Sequence, residues 1–119
     1  MKLKDPKELL NSYLDGARNL NAAAPMQTKG FYSLLNACGS NGALSEKFKE
    51  LIGVAIGSYN RCEYCIVYHV YQSFKLGATR EEVLEAALTA AIYGGGPTLA
   101  YISTLVQDSI EAFAPEFGK

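Results

Sequence analysis

The stretch RCEYCIVYHVYQSFKLG, residues 61–77, decides how this chain folds. It reads as one helix that stops at Gly77, a residue suited to the left-handed position just past a helix end. It also holds two of the three cysteines and the only histidine of the chain. At about 100° per residue, Cys65 and His69 fall within about 60° of Cys62, so all three share one face. The preceding GSYN, residues 57–60, is where the upstream helix should end, which puts Cys62 near the N-terminus of its own helix.

The flanking segments carry the same helical punctuation. Upstream, Ser45 caps a helix in which Phe48, Leu51, Ile52, Ala55, Ile56 and Tyr59 recur at helical spacing. Downstream, Thr79 and Glu82 form a capping box for a helix through VLEAALTAAIY, residues 83–93. GGGP, residues 94–97, breaks it, and Pro97 suits the first turn of a last helix reaching about Phe113. At the other end, Asp5-Pro6 is an N-cap followed by a first-turn proline, opening a helix to about Arg18. LNAAAPMQ, residues 20–27, reads as a connector, and a short helix follows from Thr28 to Ala37, ending at the turn formers CGSNG. No segment alternates in the manner of a strand. Residues 1–119 are therefore expected to form one compact, all-α bundle of about six helices.

Composition narrows the function. With 49% hydrophobic and 19% charged residues the chain is globular rather than disordered. A net charge of −1 argues against nucleic-acid binding and against a membrane-surface role. The opening Met1-Lys-Leu-Lys-Asp-Pro has no apolar signal-peptide region, and no apolar run approaches the ~20 residues of a membrane span. The expected compartment is the cytoplasm, where persistent structural disulfides are rare, so the cysteines point to redox chemistry, a metal or plain packing.

Two further features stand out. Gly53 and Gly57 lie one turn apart on a helix face that also carries Glu50 and Val54; paired helical glycines predict close approach of a neighbouring backbone. The segment YGGGPTLAYISTLVQ, residues 93–107, is apolar and rich in small residues, fitting either a subunit contact or a central core helix.

The i, i+3 cysteines have Cα atoms about 5 Å apart in a helix, inside the window for a disulfide. Helix N-terminal N–H groups stabilise thiolate there. His69, one turn beyond Cys65, can take a thiol proton, and Glu50 is the next acceptor in line. Lys47 and Lys49 offer Glu50 surface partners instead. A zinc site built from Cys62, Cys65, His69 and Glu50 has acceptable ligand types, but zinc sites usually gather ligands from separate loops. Cys38, alone beside a turn, reads as a small hydrophobe.

The pattern E-x11-C-x2-C-x3-H formed by Glu50, Cys62, Cys65 and His69 resembles the signature of the alkylhydroperoxidase D family, within the carboxymuconolactone decarboxylase-like superfamily. LGATREEVLEAALTAAIYGGGP, residues 76–97, is similar to that family's turn, helix and Gly-Pro break. The resemblance implies an AhpD-like helical subunit that assembles as a trimer or hexamer and reduces hydroperoxides through a dithiol. It implies that Cys65 attacks the peroxide, Cys62 closes the disulfide, and Glu50 and His69 relay protons. It further implies reduction by a lipoyl- or thioredoxin-type protein dithiol, with no cofactor and no metal ligand set. One departure is Tyr64, which stands where the best-known members have a histidine; a phenol is a poor proton shuttle at neutral pH, so a shorter relay is expected. The alternatives are a decarboxylase-branch enzyme, whose members generally lack the cysteine pair, and a zinc-binding or scaffold protein without turnover.

Overall fold

The computed structural model describes residues 4–119; Met1–Leu3, part of the segment read above for a signal peptide, lie outside the described residues. Helix α1 (Pro6–Ala23) starts as expected, with the Asp5 carboxylate accepting from the Lys7 amide at 2.9 Å and Pro6 in the first turn. It runs five residues past Arg18, because Leu20–Ala23 holds no breaker and two alanines, the best helix formers. The expected connector shrinks to Ala24, held out of helical geometry at φ −139°, ψ 65° by the ring of the following proline. Pro25 then opens α2 (Pro25–Gly39), and the Thr28 hydroxyl ties the joint, its one hydrogen shared between Asn21 Oδ1 and the Ala24 carbonyl.

Helix α3 (Glu46–Asn60) is capped by Ser45, whose hydroxyl accepts from the Phe48 amide, and α4 (Glu63–Lys75) ends before Gly77 at φ 96°. The Thr79–Glu82 capping box forms and starts α5 (Arg80–Tyr101). The GGGP break is narrower than expected: helical turns continue on both sides, and only Gly95 (φ 63°, ψ −147°) leaves the helix. A π-helical turn (Ile102–Val106) leads into α6 (Gln107–Phe113) and a closing 3₁₀ turn (Ala114–Phe117). Among the described residues there is no strand, and no helix is long and apolar enough to cross a membrane.

Helix α4 runs through the core, with Ile66, Val67, Val70 and Phe74 at most 1% exposed. It packs against α3 on one side and against Ile102, Val106 and Phe113 on the other. The apolar tail is thus divided. Ile102, Leu105 and Val106 belong to the core, whereas Tyr93 and Leu99 face outward. A further exposed apolar surface lies on α2, where Met26, Phe31, Leu34 and Leu35 are all exposed and only Thr28 is buried.

The glycine pair of α3 marks where α4 crosses. A Cβ on Gly57 would stand 3.1 Å from Cys65 Cβ and 3.3 Å from the Cys65 carbonyl carbon and the Ile66 nitrogen. That is the expected close backbone approach. At Gly53 the neighbour is instead the imidazole of His69.

Candidate active site

The site forms where α3 hands over to α4. Arg61 takes the left-handed conformation (φ 55°, ψ 40°), reversing the chain in one residue, and the Cys62 amide donates back to the Gly57 carbonyl at 3.0 Å. Cys62 is therefore the N-cap residue of α4 itself, and its sulfur accepts from the Cys65 amide at 3.2 Å. A sulfur in that position meets the unpaired N–H groups of the first turn, which favour its anionic form. Cys62 and Cys65 are joined as a disulfide, with Cα atoms 5.2 Å apart, as the helical spacing predicts. Both cysteines are partly buried; Cys38 is free and exposed, so it occupies no core position.

One turn further on, His69 Nδ1 lies 2.6 Å from Glu50 Oε2, with the two side chains 30% and 23% exposed. This resolves the choice of partners for Glu50. Lys47 turns to Glu82 at 3.1 Å, and Lys49 caps the end of α2 by donating to the Cys38 and Ser40 carbonyls. Glu50 is left to the imidazole. Because a carboxylate accepts, the neutral ring places its hydrogen on Nδ1 and keeps the lone pair of Nε2 free to take a proton. The four residues of the sequence pattern thus form two pairs, Cys62 with Cys65 at the start of α4 and His69, one turn further along α4, with Glu50 of α3.

Aromatic side chains form the other wall. The ring of Tyr68 stands edge-on to His69, centroids 5.2 Å apart, and edge-on to Tyr13 of α1 at 5.5 Å. Burial, with a contribution from the Glu50 charge, raises the Tyr68 phenol above the ordinary tyrosine value, so it stays neutral. Tyr64, between the two cysteines, is 47% exposed and tilted against Tyr13 at 6.3 Å. It borders a cavity of about 580 Å³ between α1 and α2, lined also by Tyr13, Tyr32 and Phe31. Tyr71 is partly buried and packs against the core, edge-on to Phe113 and Phe117. Tyr13 carries no local sequence signal; it arrives by the packing of α1 on α4. Among the described residues no group of three or more His, Cys, Asp and Glu side chains is arranged to hold a metal ion.

The model of the carboxymuconolactone decarboxylase family matches residues 27–108, a span containing all four site residues. The chain belongs to the carboxymuconolactone decarboxylase family. Its fold is similar to the crystal structure of a family protein from Legionella pneumophila, with a TM-score of 0.83 and 36% identity over 96% of this chain and 97% of that one. Over 84 residues it is 33% identical to an uncharacterised protein of Cupriavidus necator, spanning 71% of this chain and 74% of the relative. It is also 38% identical over 73 residues to the alkyl hydroperoxide reductase AhpD of Mycobacteroides abscessus, a match that spans 60% of this chain and 41% of that longer protein. The architecture is thus the all-α, AhpD-like one.

Proposed function

We propose that this protein is a thiol-dependent peroxidase that reduces hydroperoxides through a Cys62–Cys65 dithiol. The observation that carries the reading is a disulfide-bonded C-x-x-C pair at a helix start, with a Glu50-bound His69 one turn along the same face. In the reduced protein, His69 Nε2 takes the Cys65 proton and Glu50 holds the resulting imidazolium. The Cys65 thiolate attacks the peroxide, the O–O bond breaks, and the alkoxide leaves as alcohol with a returned proton, giving Cys65 sulfenic acid. Cys62, at the N-cap, then displaces water from that sulfur and closes the disulfide. A lipoyl- or thioredoxin-type protein dithiol restores both thiols at the expense of its own.

The reading places the protein in the cytoplasm, in antioxidant defence, as a trimer or hexamer. Support for assembly comes from the exposed apolar side chains of α2 and of the α3–α5 groove lined by Ile56, Tyr59 and Tyr93. The test is anaerobic reduction followed by titration with hydrogen peroxide and with an organic hydroperoxide, reading thiol content and intact mass. The expected product has lost two thiols and gained no oxygen. Peroxide-inert thiols would refute it and leave a scaffold or decarboxylase-branch protein.

A further inference from the structure

The His69 ring is held by more than Glu50. A Cβ on Gly53 would stand 2.7 Å from His69 Cγ and Nδ1 and 2.9 Å from Cδ2, so the ring lies on the bare Cα of α3 where no side chain fits. These are ring atoms anchored near the α4 backbone, unlike the free end of a flexible chain. Glycine costs about 1 kcal/mol relative to alanine within a helix, and here it opens the space the imidazole fills. On another side Tyr68 presents an edge-on contact (interplanar angle 81°), and Tyr68 is itself backed by Tyr13 at 76°. Gly53 carries no reacting group, and what Tyr68 presents to His69 is its ring edge.

We infer that Gly53 and Tyr68 are positioning residues that seat the His69 ring, committing Nδ1 to Glu50 and leaving Nε2 as the nitrogen that takes the thiol proton. The inference rests on the peroxidase reading for its consequence in rate, but not for the geometry of the seat. Because His69 is the only histidine, its ring nitrogens give unambiguous signals.

The test uses ¹⁵N-imidazole NMR of the full-length protein in the neutral-ring state, for the parent and for Gly53→Ala, Tyr68→Phe and Tyr68→Leu. The parent should show Nδ1 protonated. Gly53→Ala should lose that signature as the ring leaves Glu50, and its peroxide-dependent thiol loss should slow about 10²-fold, the usual effect of a misplaced catalytic group. Tyr68→Phe keeps the edge contact and should match the parent in both readouts. Tyr68→Leu should show mixed tautomers and a rate lower by about two- to tenfold, what an aromatic edge contact is worth. A Gly53→Ala protein that keeps the Nδ1–H signature, or that loses it and still reacts at the parental rate, overturns the inference. Should Gly53→Ala fail to fold, the two Tyr68 variants decide: equal spectra and rates for Phe and Leu overturn it. If the parental thiols prove inert to peroxide, the proposed function falls, while the tautomer comparison still tests the seat.

Discussion

Replacing Gly57 by alanine tests how tightly the cysteine helix is pressed against α3. The new Cβ would meet Cys65 Cβ at 3.1 Å and the Cys65 and Ile66 backbone at 3.3 Å, so nothing in its path can swing aside. Two effects oppose each other. Alanine is about 1 kcal/mol better than glycine inside a helix. Overpacking against an immovable neighbour costs about 1–3 kcal/mol. Gly16 supplies the control, since it lies within α1 and a Cβ there meets nothing within 4 Å. Gly16→Ala should therefore stabilise by about 0.5–1 kcal/mol. Gly57→Ala should be neutral or destabilising, leaving the two variants about 1–3 kcal/mol apart. For a domain of this size that separates their melting temperatures by about 4 °C per kcal/mol. Urea and thermal unfolding of both variants, under reducing conditions so that the disulfide is absent, is the assay. If Gly57→Ala gains as much as Gly16→Ala, the α3–α4 contact is not as close as described and the positioning of Cys65 by it is wrong.

Cys65→Ser should abolish fast reaction with peroxide, whereas Cys62→Ser should retain the first step and accumulate a Cys65 sulfenic acid trappable by dimedone; the reverse pattern would mean that the N-cap sulfur, favoured by the helix terminus, is the nucleophile. Glu50→Gln and His69→Asn should each slow thiol oxidation by about 10²–10⁴ with unchanged far-UV circular dichroism, and full activity in both would remove the dyad from the mechanism. Stability should decline at alkaline pH: folding raises the Tyr68 and Tyr13 phenols, burial being the leading cause in each, so their contribution is complete below the unfolded value of 10.0 and is lost as pH rises through the folded values. Tyr68→Phe should flatten that decline in a urea-midpoint series from neutral pH upward. Light scattering at micromolar concentration should return three or six times 12.9 kDa, and a monomer would leave the exposed face of α2 without a partner.

Much of this fold is written in short-range signals. Asp5-Pro6, Ser45, the Thr79–Glu82 box and Gly77 each act through groups within a few residues, which is why helix starts and the α4 stop fall where the sequence puts them. Helix ends without such a signal depend on more than their neighbours in sequence. Nothing local stops α1 at Arg18, and the AAAP stretch reads as a loop until Pro25 is seen to begin a helix rather than only to end one.

The sequence by itself determined the helical class, the face shared by Cys62, Cys65 and His69, and the disulfide geometry, because an i, i+3, i+7 spacing on a helix fixes those relations without reference to the rest of the chain. Only the tertiary structure decided that Glu50 turns to His69 while Lys47 and Lys49 go elsewhere, that Gly53 is the seat of a ring and not of a backbone, and that Tyr13 reaches the site from α1. It also decided that the apolar tail is divided between core and surface, and that α2 turns Met26, Phe31, Leu34 and Leu35 outward. The physical reason is range. A cap or a helical face is set by neighbours in sequence, whereas the partner of a charge or the occupant of a gap depends on which helices cross, at what distance, and which side chains meet there.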